Sequence, residues 1–230
     1  MPEISEVKAY CSLLQNTILK RKILKVDVFT KKLRYKIPNN IHHEVFQNKI
    51  KWVLTRGKYI ILLLNKNKIL VFHLGMTGSL IISNNRYRRK KHDHLVISFN
   101  NNINLIFNDI RKFGYIELAT KPFDIINYKQ LGKEPLSTML FKEDLFLKIN
   151  KTKQNLKNIL LNQKFISGIG NIFANEILFR ASISPYKLGS QINNQEFNKL
   201  LTSINCTLSL AIKRGLKSIE NNKNNVSFTL

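Results

Sequence analysis

Hydrophobic positions in the first half of the chain change from a helical spacing to an alternating one. Apolar residues fall on one helical face from Val7 to Ile18, which predicts an amphipathic helix near the amino terminus. Ser5 can cap this helix, and Glu6 lies near its positive end. Short alternating or apolar runs separated by polar turns then indicate antiparallel strands that form a sandwich. The strands are predicted over 23–29, 51–64, 68–73, 95–99 and 103–107.

The pattern becomes helical again from about residue 141. Apolar residues at spacings of three and four predict helices over 155–163, 171–181 and 195–210. Between the two halves, residues 121–137 contain two prolines and mixed polarity, which is typical of a linker. We therefore predict an α+β protein with an antiparallel β-sandwich domain at 1–125, a linker at 126–140 and a helical domain at 141–230.

The charge of the chain narrows the class of partner. Lysine and arginine number 38 against 14 acidic residues, a formal net charge of +24, which favours a polyanion such as nucleic acid. The alternative is a basic protein whose charge serves solubility alone. Cys11 and Cys206 are too few for a disulfide framework or a four-thiolate zinc site. No apolar run approaches the roughly 20 residues of a membrane span, so we expect no membrane contact and a cytoplasmic monomer.

The amino-terminal stretch MPEISEV suggests a candidate nucleophile. Removal of the initiator methionine before a small residue would expose the secondary amine of Pro2. An α-amine has a reference pKa near 7.7–8.0, so an appreciable fraction is neutral at pH 7 and can attack an aldehyde-level carbon. Glu3 and Glu6 could then transfer protons. The alternative is that proline and the two acids merely begin a helix, where they are favoured in any case.

Six further stretches follow PE-x-x-E-V in a fixed order, and their combination is specific. They are RGKY at 56–59, HLGMTGSL at 73–80, KHDH at 91–94, RKFG at 111–114, GKEPL at 132–136 and SGIGNIFANEILF at 167–179. With this set the chain resembles the bacterial formamidopyrimidine-DNA glycosylases, base-excision repair enzymes that remove oxidised purines and nick the abasic site. The resemblance covers nearly the whole chain. It implies a catalytic β-sandwich flanked by helices, then a DNA-binding helical domain with a helix–two-turn–helix motif.

The resemblance implies roles for four catalytic residues. Pro2 is the nucleophile that attacks C1′ of the damaged nucleotide, and β- then δ-elimination follow from the Schiff base. Glu3 is its acid/base partner at the sugar, and Glu6 matches a second acid near the active site. Lys58 matches a lysine on a turn between strands that reaches the damaged nucleotide and a phosphate. From the local sequence alone, an ordinary solvated hairpin lysine is the favoured alternative.

Base excision requires the base to leave the stack, which costs a few kcal/mol. By resemblance, Met76, Arg111 and Phe113 fill the vacated space. A methionine or phenylalanine in a β-rich region is more often part of the core. Neighbouring glycines, at 75, 78 and 114, favour exposed turn tips instead.

Phosphate contacts are implied at three places. The turn Ile169-Gly170-Asn171 matches the phosphate-binding turn of the family, with helix amides pointing outward to an anion. A helix capped by Asn171 is the alternative. His92 matches another phosphate contact, although such a histidine is usually structural. Lys153 matches a DNA-contacting lysine, with Lys151 as the alternative alignment.

Members of the family continue into a zinc finger with four cysteine ligands, which this sequence does not contain. We therefore expect no metal cofactor and a weaker clamp on DNA, partly offset by nonspecific phosphate attraction. The predicted function is a bifunctional glycosylase and abasic-site lyase, whose partner is duplex DNA with oxidised purines or abasic sites. The alternatives are a catalytically impaired DNA-binding remnant and an endonuclease VIII-like glycosylase for oxidised pyrimidines.

Overall fold

The computed structural model describes residues 2–84, 87–137 and 142–221. In the described residues an amino-terminal helix is followed by eight strands, with a short helix between the first two strands, and then by helices, so the α+β prediction is confirmed. The helices are α1 (Ile4–Ile18), α2 (Ile41–Val45), α3 (Lys142–Asn150), α4 (Leu156–Leu161), α5 (Asn171–Ala181) and α6 (Asn194–Asn221). The strands are β1 (Ile23–Val28), β2 (Ile50–Arg56), β3 (Tyr59–Leu64), β4 (Ile69–His73), β5 (Gly78–Asn84), β6 (Asp93–Phe99), β7 (Ile103–Asp109) and β8 (Tyr115–Ala119).

The strands form two four-stranded antiparallel sheets that face each other, as the sequence predicts. One sheet has the order β1-β6-β7-β5 and the other β2-β3-β4-β8. A single hydrophobic cluster fills the space between them, with Phe72 and Phe107 stacked across it. The other face of the second sheet is also covered, because Ile125 packs there with Tyr128 and Leu131. Strands β3 and β4 are therefore apolar along almost their whole length.

One predicted strand is two strands. The sequence indicates a single strand over 51–64, whereas the structure divides it into β2 and β3 at Gly57 and Lys58. Gly57 has a φ of 55°, a conformation that glycine adopts without steric cost. Four consecutive residues that are not apolar, 55–58, separate two apolar runs here, but the predicted strand runs across them. The result is a tight hairpin with Lys58 at its tip.

The helical half has its own core, which includes one residue from α1. Residues of α3 to α6 form a second hydrophobic cluster, and Ile4 is buried in it. The predicted helix over 171–181 coincides with α5, and α4 is shorter than predicted. Helix α6 extends to Asn221, beyond the predicted end at residue 210. Since α1 packs against α6 and against β2, it joins the two halves.

Helix α1 begins two residues earlier than a Ser5 cap would require. The residue at the N-cap is Glu3, and Ser5 lies inside the first turn. The Glu3 amide donates to Oε2 of Glu6 at 3.0 Å, and the Ser5 hydroxyl donates to the same oxygen at 2.8 Å. Glu6 thus closes the first turn in the manner of a capping box, which leaves the Glu3 side chain for another partner.

Candidate active site and nucleic-acid interface

The carboxylate of Glu3 is buried at the beginning of α5, in the other half of the molecule. It is 2 % exposed and accepts hydrogen bonds from the amides of Gly170 at 2.8 Å, Ile172 at 2.9 Å and Phe173 at 3.3 Å. The first amides of a helix have no intrahelical partner, and the helix dipole is positive there. The carboxylate therefore satisfies these donors, and they fix its position beside Pro2.

This arrangement corrects the predicted use of the glycine turn. The sequence predicts that amides after Ile169 point outward to an external anion, but three of these amides bind Glu3. The N-cap residue of α5 is Gly170, so the alternative of an Asn171 cap is also wrong. Asn171 is the first residue of the helix and is exposed. A phosphate contact by the Asn171 side chain stays a prediction.

The glycines of this turn are needed for close approach. A Cβ added to Gly170 would lie 2.3 Å from Cδ of Glu3 and 2.4 Å from its Oε1. A Cβ on Gly168, whose φ is 91°, would lie 2.8 Å from Cδ1 of Ile4. The Ile4 amide in turn donates to the Gly168 carbonyl at 3.1 Å. The amino terminus and the turn before α5 are therefore packed as one unit.

Lys58 lies at the tip of the β2–β3 hairpin and is directed into this region rather than into solvent. Only 9 % of the residue is exposed, so the alternative of a solvated hairpin lysine is wrong. Burial lowers the pKa of Lys58, and the charges of Glu3 and Glu6 partly oppose that effect. The ammonium group is thus close enough to both carboxylates to interact with them electrostatically.

A half-buried network that the sequence does not reveal holds the Lys58 turn. The Arg56 guanidinium donates to Glu134 Oε1 at 2.8 Å and to Ser167 Oγ at 2.7 Å. The Gly57 amide donates to the same Glu134 oxygen at 2.7 Å. Because Glu134 lies within the segment predicted as the linker and Ser167 precedes α5, one cation fixes three segments against each other. No sequence pattern could have paired residues that lie about a hundred positions apart, although RGKY, GKEPL and SGIGN each contain one member.

His73 is a second residue that the sequence analysis did not select. It lines a cavity of about 310 Å³ together with Lys58, Arg34 and Tyr115, and it stacks on the Tyr115 ring at 4.9 Å. Burial, followed by the charges of Lys58 and Arg34, lowers the pKa of His73 to about 4. Nδ1 accepts a hydrogen bond from the Gly75 amide at 3.2 Å. The neutral ring therefore carries its proton on Nε2, which makes that nitrogen a donor.

The three predicted void-filling residues are on two adjacent exposed turns. Met76 lies between β4 and β5 and is 42 % exposed, whereas Phe113 lies between β7 and β8 and is 41 % exposed. Arg111 is exposed beside it, with Cζ 4.4 Å from the centre of the Phe113 ring. The expectation of exposed turn tips is confirmed, and the alternative of core residues is wrong. Their insertion into DNA stays a prediction.

A fully buried carboxylate joins these two turns. Asp109 accepts from the Thr77 hydroxyl and from the amides of Arg111 at 3.2 Å and Gly114 at 2.8 Å. The Arg111 amide also donates to Oγ1 of Thr77 at 3.1 Å. Met76 and Phe113 are consequently presented by one rigid unit, which lowers the entropic cost of using them together.

The remaining predicted DNA contacts lie on the surface. His92 is half-buried with a φ of 70°, and its carbonyl accepts from the Asp109 amide at 3.1 Å. Lys151 and Lys153 are both exposed between α3 and α4, so the alignment of Lys153 stays a prediction. Within the described residues there is no cluster of histidine, cysteine or acidic side chains that could hold a metal ion. None of the described helices has the length and apolarity of a membrane span.

Comparison with known families shows to which family the chain belongs. The model of the formamidopyrimidine-DNA glycosylase N-terminal domain matches residues 1–116, and that of the formamidopyrimidine-DNA glycosylase H2TH domain matches residues 131–223. The chain belongs to the formamidopyrimidine-DNA glycosylase family. Among the relatives of this glycosylase, the protein from a Wolbachia endosymbiont of Brugia malayi is 39 % identical over 94 % of this chain and 79 % of its own length. The protein from Rickettsia bellii is 37 % identical, over 97 % of this chain and 84 % of its own.

Solved glycosylase structures share the fold. The Lactococcus lactis formamidopyrimidine-DNA glycosylase, bound non-covalently to DNA with an abasic site, superposes with a TM-score of 0.86 at 29 % identity. That match covers 96 % of this chain and 85 % of the other. A complex of the same enzyme with DNA containing N7-benzyl-Fapy-dG gives a TM-score of 0.83 at 31 % identity, over 92 % and 79 % of the two chains.

Proposed function

We propose that this glycosylase excises oxidised purines, namely formamidopyrimidines and 8-oxoguanine, from duplex DNA and then cleaves the abasic strand. The observation that carries the proposal is the position of Glu3, buried against α5 directly beside the amino-terminal Pro2. A helix N-terminus that binds its own carboxylate gives the reacting end of the chain a fixed location. Membership of the family gives that location its chemistry.

In the proposed reaction, the secondary amine of Pro2 acts after removal of Met1. Its nitrogen lone pair attacks C1′, the glycosidic bond breaks, and the base leaves with a proton from a donor in the site. The amine loses its proton, the C1′–O4′ bond breaks as O4′ takes a proton, and the opened sugar is left as an iminium on Pro2. The resulting iminium acidifies the 2′ hydrogens of the sugar, and their loss drives β-elimination of the 3′ phosphate and then δ-elimination of the 5′ phosphate. In this proposal Glu3 transfers protons at the sugar. Glu6 fixes the backbone of Glu3 through its amide.

Lys58 and the exposed turns would support this chemistry. A buried ammonium group beside two carboxylates can pair with a phosphate that displaces water from the site. Met76, Arg111 and Phe113 would fill the space left by the everted nucleotide, with His92, Lys153 and Asn171 as backbone contacts. The high net charge of +24 supplies attraction to any duplex. We propose that no metal cofactor is required and that the protein acts as a cytoplasmic monomer.

The test is borohydride trapping on a duplex that contains 8-oxoguanine. Reduction during turnover should give a covalent protein–DNA adduct, because the iminium becomes a stable amine. Pro2→Gly and a variant that retains Met1 should give none, while their affinity for duplex DNA stays within about threefold, since neither change alters the phosphate contacts. A duplex with a preformed abasic site separates the two activities, because it needs the lyase step alone.

Three results would contradict the proposal. An adduct that survives in Pro2→Gly and in the variant that retains Met1 would mean that another amine is the nucleophile. No adduct on either duplex, despite measurable binding, would identify a DNA-binding remnant. Trapping on thymine glycol but not on 8-oxoguanine would favour the endonuclease VIII-like alternative.

A further inference from the structure

Four consecutive cations lie on a loop of the sandwich domain. The family resemblance assigns a role to none of them and implies a phosphate contact only for His92, which follows them. We define the basic loop as residues 87–92, with Arg88, Arg89, Lys90 and Lys91 between Tyr87 and His92. All four cations are exposed. Within the described part of the chain, none of them forms an ion pair with a carboxylate. The loop therefore presents a strong uncompensated positive charge.

The topology of the sheet places this loop beside the exposed turns of the candidate site. Strands β5 and β6 both pair antiparallel with β7, so they run parallel to each other. The connection between them must return along the sheet to the edge where β5 began. Gly78 at the start of β5 pairs with Asp109, and Asp93 at the start of β6 pairs with Asn108. The basic loop thus ends at the edge that carries Met76.

Hydrogen bonds hold the loop in one conformation. The Tyr87 hydroxyl donates to Oδ2 of Asp93, and the Lys90 amide donates to the same oxygen at 2.7 Å. Burial and the Asp93 carboxylate raise the pKa of Tyr87 to about 12, so the hydroxyl keeps the proton that it donates. Asn108 Nδ2 donates to Oδ1 of Asp93 at 2.7 Å and to the Lys91 carbonyl at 3.2 Å. A buried aspartate thereby arranges a row of cations whose charges repel one another.

One of the four cations anchors the loop to the sandwich. Cζ of Arg89 lies 4.4 Å from the centre of the Phe29 ring, the geometry of a cation–π contact. Arg88, Lys90 and Lys91 have no such partner within the described residues. Three exposed cations are consequently left on a rigid, preorganised loop, an arrangement that suits regularly spaced phosphates.

We propose that the basic loop is a backbone clamp on duplex DNA, which contacts phosphates next to the kinked site through Arg88, Lys90 and Lys91. This inference rests on the proposed function for the position of the DNA. Lys91 is hydrogen-bonded to Asn108, three residues before Arg111. Three residues of extended chain span at most about 10 Å. The backbone of Lys91 is therefore tied close to the turn that carries Arg111, so the contacts are expected on phosphates next to the void.

The experiment compares two triple variants that lose the same charge. The loop variant is Arg88→Gln/Lys90→Gln/Lys91→Gln. The control is Lys49→Gln/Lys51→Gln/Lys66→Gln. These three lysines are exposed and have no described ion pair, and they lie at the open end of the β2–β3 hairpin, opposite Lys58. Binding to a duplex with a tetrahydrofuran abasic analogue is measured from 50 to 200 mM KCl. Hydroxyl-radical footprints are recorded on both strands.

Each phosphate contact adds about 0.9 to the slope of log K against log salt. The loop variant should therefore have a slope shallower by about 2.7, equivalent to about 40-fold less loss of affinity over this salt range. Its footprint should be shorter by about three base pairs on one side of the lesion. The control should change the slope by less than one contact and keep the wild-type footprint.

Other outcomes overturn the proposal. Equal slopes and footprints for the two triple variants would mean that the loop adds only diffuse charge. Loss of binding to single-stranded RNA by the loop variant, without a change on the duplex, would identify a different partner.

Tyr87→Phe keeps all four cations but removes the hydroxyl that donates to Asp93. Because the loop is then less rigid, its slope should lie between those of wild type and the loop variant. These are binding measurements, so failure of the proposed glycosylase chemistry would appear separately, as absent trapping with unchanged slopes.

Discussion

Gly170→Ala should disable the site without adding or removing a charge. The new Cβ would lie 2.3 Å from Cδ of Glu3, whereas ordinary van der Waals contact begins near 3.4 Å. The carboxylate must therefore retreat by about 1 Å. Its hydrogen bonds from Gly170 and Ile172, now 2.8 and 2.9 Å long, would then exceed the usual limit.

The magnitude follows from these contacts. A hydrogen bond to a charged group contributes about 1.5–3 kcal/mol, so loss of both should lower the free energy of unfolding by about 3–6 kcal/mol. For a chain of this size that corresponds to a Tm lower by about 6–24 °C. A displacement of about 1 Å in a reacting group can cost about 100-fold in rate. Duplex binding should change by less than about threefold, because surface phosphate contacts are unaffected.

The assay is single-turnover excision of 8-oxoguanine at saturating enzyme, with Tm measured in parallel. Gly215→Ala is the matched control, since a Cβ there meets nothing closer than Cβ of Ala9 at 3.4 Å. Gly215 lies within α6, where alanine is the better helix former by about 1 kcal/mol, so the control should keep its rate and its Tm or exceed the latter. A Gly170→Ala rate within threefold of wild type would refute the inference that Glu3 must occupy this position.

Three further changes test other parts of the site. Between pH 7 and pH 5 the unfolded chain binds a proton at His73 that the folded chain excludes, so the free energy of unfolding should fall by about 1–2 kcal/mol as the pH is lowered. Urea unfolding at the two pH values measures this loss, which His73→Gln should lack. Glu134→Gln, which breaks the ion pair with Arg56, should slow adduct formation on an abasic duplex several-fold. The control Glu196→Gln breaks the comparably exposed pair with Lys187 and should lower Tm alone. Equal effects on trapping would refute a positioning role for Glu134. Phe113→Ala should reduce the excision rate by about tenfold and change the free energy of unfolding by less than about 0.5 kcal/mol. The control is Phe123→Ala, an exposed phenylalanine outside the site, which should leave the rate in the same excision assay unchanged.

The sequence predicted those features that depend on local periodicity. Helix α5 was predicted at its observed ends because apolar residues recur at helical spacing after a glycine turn. The strands on either side of residues 100–102 were also predicted, because a polar turn separates two apolar runs. The strand bounds predicted over 51–64 missed the division into β2 and β3, although the residues at 55–58 are not apolar and the family resemblance implies a turn at Lys58.

Long-range polar contacts were not accessible to the same reasoning. The sequence gives Glu3 as a candidate acid, but its three amide donors lie about 170 positions away. Asp109 and Glu134 have no distinctive pattern, and their importance follows only from the donors that the fold brings to them. The direction of the helix amides was predicted wrongly, because a sequence cannot say that the anion belongs to the same chain.

The contact between Glu3 and α5 also constrains how the protein becomes active during synthesis. The first residues leave the ribosome early, but the amides that hold Glu3 belong to residues 170–173 and are made after most of the chain. Until α5 forms and docks, the amino terminus lacks the contacts that define its place. A nascent or truncated sandwich domain would therefore carry the terminal amine without the contacts that complete the site.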